Sequence, residues 1–279
     1  MLVFCDLDDT VFAPQTFSVE AEARRALDRL KRGHVALVFC SSKTRAELEL
    51  IHQELGINHP FICENGAAVF VPRGYFGFSV PQAIEVAGYE VVQFGKPYAE
   101  VVASLHRAVD RLGMEVVGFS DMSVEEVATE CDLPLLQARL AKLREYTEPF
   151  RVVDAKPGAI TRLTRALRSA GHDCTSRGRY YHVGTIRHHI GGQYLRSLYW
   201  RAFGDVVSVG FADHTSAVPL PRQAGVPLIA RSDQADETTC LLADVPAARL
   251  SDADSVGAWV NVIREIAAAA GHRRSSASL

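Results

Sequence analysis

Leu2-Val3-Phe4-Cys5-Asp6-Leu7-Asp8-Asp9-Thr10 is the stretch on which the reading of this chain turns. A short, continuous apolar run ending in acids predicts a buried parallel strand over 2–7, opening onto a site at its carboxyl end. Side chains alternate along extended backbone, so Asp6 and Asp8 share one side and their carboxylates can converge. Two converging acids repel each other unless a cation lies between them, which implies a divalent metal. The competing reading is a solvated turn after a strand, because Asp and Thr favour turns.

Outward from that stretch, strand and helix alternate. A helix is expected over 19–32, with Ser18 as its N-cap and Gly33 as its stop. Val-Ala-Leu-Val-Phe-Cys at 35–40 reads as a second buried strand, 43–55 as a helix stopped by Gly56, and 60–63 as a third strand before the turn former Asn65-Gly66. That order predicts a parallel sheet covered on both faces. The middle differs in texture. Strands are expected at 89–94, 114–118, 151–153 and 180–183, with helices at 97–112, 121–128, 134–145 and 158–170, which suits an inserted α+β module. A helix over 193–203, buried strands at 206–209 and 226–230 and a closing helix over 256–270 then return to the first pattern. The expected organisation is a core in two parts, 1–80 and 187–271, around a module at 81–186, with the Ser-rich 272–279 as a frayed tail.

Composition narrows the classes. The 279 residues carry 30 Lys+Arg against 33 Asp+Glu, a net charge of −3, so no basic excess marks a nucleic-acid partner. With 48% apolar and 23% charged residues, the chain is an ordinary globular one rather than disordered, collagen-like or disulfide-scaffolded. The six cysteines (Cys5, Cys40, Cys63, Cys131, Cys174, Cys240) are scattered without a C-x-x-C pair, which predicts reduced thiols and no structural zinc. No leader is evident in Met1–Thr10 and no apolar run reaches about 18 residues, so a cytoplasmic protein with no membrane partner is expected.

D-x-D-x-T after the first buried strand resembles the opening motif of the haloacid dehalogenase phosphatases. The resemblance implies a Rossmann-like α/β core with an inserted α+β cap, a Mg²⁺ cofactor and a small phosphorylated substrate. It makes Asp6 the nucleophile that becomes a phospho-aspartate and Asp8 the general acid/base. In Cys40-Ser41-Ser42-Lys43-Thr44 it makes Ser41 the phosphate-binding hydroxyl, although Ser41 and Ser42 suit a helix N-cap equally well. Asp213 becomes the third acid, so that Asp6, Asp213 and the Asp8 carbonyl hold Mg²⁺ with waters completing the shell. The chain departs from the motifs at several points. Asp9 stands where Gly is usual, and Ser216 and Ala217 replace the Asn and Asp of G-D-x-x-N-D. The usual lysine is missing from 185–193, where His189 stands in its place with Arg187 nearby. The alternative for His189 is a surface His-His pair.

A closer resemblance, to mannosyl-3-phosphoglycerate phosphatases, spans about residues 2 to 220. It is carried by Pro60-Phe-Ile-Cys-Glu64-Asn65-Gly66, Phe119-Ser-Asp121-Met122, Arg144-Glu145-Tyr146-Thr-Glu148-Pro149-Phe150 and Gly178-Arg179-Tyr-Tyr-His182. It implies that Arg179 and His182 take the glycerate carboxylate or the sugar, with Lys43 and Asn65 contributing from the core; Arg suits a bidentate carboxylate contact. The plainer readings are a surface charge for Arg179, a satisfied strand residue for His182 and a turn former for Asn65. Glu145 and Glu148 are expected to pair with arginines of the cap. Hydrolysis of mannosyl-3-phosphoglycerate is the expected activity. The alternatives are a related sugar-phosphate phosphatase or a catalytically weakened protein that binds a phosphorylated ligand.

Overall fold

The computed structural model describes residues 1–7, 21–153, 157–177, 179–186, 188–212, 224–229, 243–250, 260–261 and 265. β1 (Leu2–Cys5) and β2 (Ala36–Phe39) are buried along their whole length, as parallel strands covered on both faces are. With β11 (Ser208–Ala212), β12 (Val226–Ile229) and β13 (Arg249–Leu250) they form a parallel sheet in the order β13-β12-β11-β1-β2. Alternation along the strands divides the core. Val3, Cys5, Leu37 and Phe39 pack with Leu27 and Leu30 of α1 (Ala21–Arg32) and Leu48 and Leu55 of α2 (Arg45–Leu55). Leu2, Phe4 and Val38 pack on the other face with Leu195, Leu198 and Tyr199 of α7 (His188–Phe203).

Cys40 bridges in parallel to Ile62, bringing β3 (Phe61–Cys63) beside the end of β2. β3 also starts an antiparallel sheet with β4 (Ala68–Pro72), β6 (Tyr89–Gln93) and β5 (Ile84–Val86), so residues 84–93 extend the core side. A separate antiparallel sheet has the order β7 (Glu115–Gly118), β8 (Thr147–Val153), β10 (Tyr180–Gly184), β9 (Asp173–Arg177). On one face, Leu105 of α3 (Tyr98–Leu112) and Leu163 and Leu167 of α6 (Ala159–Ser169) cover Phe150 and Val183. On the other, α4 (Val124–Cys131) and α5 (Leu135–Ala141) bury Val127 and Ala138 with Phe119 and Met122. The α/β core with a second α+β unit is the architecture expected.

Local details differ from the periodicity. The N-cap of α2 is Thr44, in a reciprocal capping box with Glu47, so neither Ser41 nor Ser42 caps it. Ser123 forms the same box at α4, which therefore begins at Val124 rather than 121. α5 stops at Ala141 rather than running to 145, and α7 begins at His188 rather than at 193. The closing helix expected over 256–270 lies mostly outside the described residues.

One buried ionisable side chain of this core, His52, makes the stability pH-dependent. Its ring stands edge-on to Phe39 and Phe61, with centroids 5.5 and 5.0 Å away. Burial pushes its pKa down from 6.5 to about 4. An unfolded chain takes up the proton near pH 6.5 and the folded one only near 4, so the contribution is complete above 6.5 and is lost as pH falls toward 4. The gap corresponds to about 3 kcal/mol. His52→Phe, which keeps the ring and removes the titration, should give a flatter Tm profile over that window than the wild type; parallel profiles would rule the assignment out.

Candidate active site

β1 delivers Asp6 at its carboxyl end, where the side chain is buried and Oδ1 accepts from the Leu7 N–H at 2.6 Å. The Cys40 N–H donates to the Cys5 carbonyl at 2.9 Å, so the pairing runs one residue further and places Cys40 beside Asp6, with Ser41 next in the chain. Burial, and then the Asp6 charge, push the Cys40 thiol well above its usual range. It stays protonated and does not compete as a nucleophile.

Ser41 is fully buried, and its N–H donates to the Ile62 carbonyl at 3.0 Å. Its Oγ accepts from the Lys43 N–H at 3.1 Å, which leaves the hydroxyl proton to be donated elsewhere. The 3₁₀ turn at Glu64–Gly66 closes the site from the side of β3. Glu64 and Asn65 both have left-handed backbone (φ 47° and 62°), and this turn aims two consecutive N–H groups at the loop. The Asn65 N–H reaches the Ser41 carbonyl and the Glu64 N–H the Lys43 carbonyl, each at 3.0 Å. Asn65 Nδ2 is buried without a hydrogen-bond partner among the described residues. Asp6 and Ser41 thus follow adjoining strand ends, with Lys43 in the loop before α2 and Asn65 in the turn after β3.

The start of α7 packs against the same turn, with Gly191 allowing close approach to Ile62 and Val69. His189 lies exposed in the first turn of that helix. Arg179 and His182 lie on the second unit. His182 is half-buried on β10, opposite Pro149 and Thr175. Arg179 is exposed, pairs with Glu130 at 3.3 Å and stands over the Tyr180 ring. At the usual strand rise it is on the order of 15 Å along β10 from Gly184, the end nearest the core. Asp8, Arg187 and Asp213, with Ser216 and Ala217, lie outside the described residues.

One cluster was not anticipated. Glu64, fully buried, accepts from the backbone N–H groups of Glu145, Tyr146 and Thr147 at 2.7, 3.1 and 2.7 Å, and from the Thr147 hydroxyl at 2.8 Å. Arg144 Nε lies 3.3 Å from the same carboxylate. This capture keeps the helix from running on to 145: the Lys142 and Leu143 N–H groups still reach the Ala138 and Leu140 carbonyls, but those of Glu145, Tyr146 and Thr147 are bound by a core carboxylate. The expected pairing of Glu145 and Glu148 with cap arginines is not what forms. Glu145 pairs with Arg45 of α2 at 2.8 Å, across to the core, and Glu148 is bonded by the Tyr98 hydroxyl and by Ser120. A signal was present in the non-periodic, charge-rich run at 144–148, but its partner lies about 80 residues away in sequence.

A profile of haloacid dehalogenase-like hydrolases matches residues 3–76. A glucosyl-3-phosphoglycerate/mannosyl-3-phosphoglycerate phosphatase from Methanococcoides burtonii is 33% identical over 271 residues, covering 95% of this chain and 96% of that protein. The chain belongs to this phosphatase family. A relative of the same name from Persephonella marina is 36% identical, over 82% of this chain and 84% of its own. A haloacid dehalogenase-like hydrolase structure from Bacteroides thetaiotaomicron superposes with a TM-score of 0.64 over 95% of this chain and 98% of that one, at 14% identity. Family membership makes the chain a phosphatase, and the core carrying Asp6 and Ser41 is the haloacid dehalogenase one. Among the described residues, no helix is long and apolar enough to cross a membrane.

Removing the Glu64 carboxylate strands a buried guanidinium and three backbone N–H groups at once. Glu64→Leu should therefore cost about 3–5 kcal/mol, the usual penalty for breaking a buried pair. Denaturant unfolding checks this; a loss below about 1 kcal/mol would mean that water replaces the carboxylate.

Proposed function

We propose that the chain hydrolyses the phosphomonoester of a glycosyl-3-phosphoglycerate, mannosyl-3-phosphoglycerate first among them, releasing the glycosylglycerate and inorganic phosphate. The observation that carries this reading is near-full-length similarity to relatives with those names, joined to Asp6 and Ser41 on adjacent strand ends.

In this reading an Asp6 carboxylate oxygen attacks phosphorus, the bond from phosphorus to the ester oxygen breaks, and Asp8 gives that oxygen its proton. Asp8 then takes a proton from water, whose oxygen attacks phosphorus and displaces Asp6. The buried Ser41 hydroxyl, with its proton free to donate, and the unpartnered Asn65 Nδ2 bind phosphoryl oxygens at the strand ends. The fit to a hard divalent cation rests on the all-oxygen donor set that the buried Asp6 begins and that Asp213 and the Asp8 carbonyl complete. Bound there, Mg²⁺ supplies charge neutralisation for the phosphoryl group.

The unit within 81–186 acts as a cap. In support, the sheet of β7 to β10 has its own apolar core, and its Arg179 and His182 would meet the organic part of the substrate. His189, or Arg187 beside it, takes the place of the usual lysine. Cys5, Cys40, Cys63, Cys131 and Cys174, none of them in a disulfide among the described residues, support a cytoplasmic location. The exposed His189 where the family keeps a lysine favours, as a second reading, a relative retuned to another sugar phosphate.

Phosphate release from mannosyl-3-phosphoglycerate, glucosyl-3-phosphoglycerate and simple hexose phosphates distinguishes the two. The glycosyl-phosphoglycerates should give the highest kcat/KM, and preference for a hexose phosphate would favour the second reading. Asp6→Asn should lower kcat by ~10³-fold or more on every substrate, and near-wild-type turnover would sink the nucleophile assignment. Chelation of divalent cations should abolish turnover and added Mg²⁺ restore it; full activity in the chelator would remove the metal from the proposal.

A further inference from the structure

We infer that Arg144, contributed by the second unit, is a positioning residue for the phosphate-binding loop and acts through the Ser42 carbonyl on Ser41. This rests on the proposed role of Ser41. The loop presents three consecutive carbonyls. Those of Ser41 and Lys43 are bound by the core turn, through the N–H groups of Asn65 and Glu64. The carbonyl between them, Ser42, is bound by Arg144 Nη2 at 3.1 Å, from 102 residues away. The guanidinium is itself held on its other sides, by Glu64 Oε2 at 3.3 Å, by the Thr147 carbonyl at 3.1 Å and by the Thr147 hydroxyl. Its side chain is 4% exposed and that of Glu64 0%, so the ties are not in competition with water. A planar fork satisfied on several edges has little freedom and fixes what it touches.

The segment that follows Arg144 is clamped where the chain passes between the two units. A Cβ on Gly95 would lie 3.0 Å from Tyr146, and one on Gly184 2.7 Å from the Tyr146 carbonyl. The two crossings thus flank the loop that Glu64 binds. Arg144 lies two residues before Tyr146, beside both crossings, so a swing of the second unit about them would displace it least and leave its hold on Ser42 intact. Its influence therefore falls on phosphoryl transfer and is the same for large and small substrates.

The test is a mutant cycle on the full chain with Mg²⁺, reading kcat and KM on mannosyl-3-phosphoglycerate and on p-nitrophenyl phosphate. Ser41→Ala should lower kcat by ~10²-fold, as loss of one transition-state donor does. Arg144→Met should lower kcat by ~10–100-fold on both substrates with KM within about threefold, and Arg144→Lys, which keeps one donor, should recover about tenfold. In the Ser41→Ala background Arg144→Met should cost less than about threefold, because the group it orients is already gone. An unchanged kcat, an equal loss in both backgrounds, or a loss confined to KM for the larger substrate would each overturn the inference. If Arg144→Met does not unfold cooperatively, Arg144→Gln, which is polar but lacks the guanidinium fork, carries the same cycle with the same criteria. A harmless Ser41→Ala beside an inactive Asp6→Asn would defeat the proposed role of Ser41. An impaired Ser41→Ala beside an untouched Arg144 variant defeats this inference alone.

Discussion

A carboxylate with no exposure to water organises the junction of the two units. Withdrawing such a charge from solvent costs several kcal/mol unless its lone pairs are filled, and Glu64 fills them with three backbone N–H groups, a hydroxyl and a guanidinium. The donors come from Arg144–Thr147 and the acceptor from the end of β3, so neither partner is satisfied without the other. Glu64 also adopts the left-handed backbone that non-glycine residues avoid. Such strain persists where surrounding contacts over-determine it, and here its carboxylate and its N–H are both committed. The same turn that carries the carboxylate aims Asn65 at Ser41. Docking of the second unit and the geometry of the Ser41–Lys43 loop therefore depend on one 3₁₀ turn.

Charge has to be handled locally in this protein. The net charge is −3, so no global field draws in a phosphorylated substrate. The turn at Glu64–Gly66 lies beside the start of α7, a 16-residue helix whose N-terminus carries the positive end of its dipole. No lysine stands in 185–193, so positive potential near that turn has to come from the helix end and from neighbouring donors such as the Ser41 hydroxyl and the Asn65 amide.

The parallel core was legible because its strands are continuous apolar runs and its site residues follow directly on them. Leu2–Cys5 and Ala36–Phe39 are buried throughout, and the residues beside the site, Asp6 and Ser41, fall one and two positions past the strand ends. Local signals were less reliable at helix starts. Three hydroxyl residues, Ser41, Ser42 and Thr44, competed for one cap, and the capping box with Glu47 decided it. What the sequence could not disclose is the partner of a charge. Glu64, Arg45, Arg144 and Glu145 are ordinary surface residue types when read locally, yet Glu64 and Arg144 are buried and Arg45 crosses to Glu145 over 100 residues. Such pairings are set by tertiary approach and leave no periodic trace.

That long-range character also explains why the second unit can be an insertion without loosening the site. A module joined only by its two crossings would be free to take many orientations, and the loop entropy of a long insertion grows only slowly with its length. Docking therefore needs a dedicated contact rather than short linkers. The contact is placed where the crossings converge, with Gly95 and Gly184 both against Tyr146. There a buried, fully satisfied ion pair fixes Arg144 against the core turn. Apolar packing of similar area would hold the units together but would not orient a carbonyl. Arg144 can, since its donors leave in fixed directions and one of them ends on Ser42.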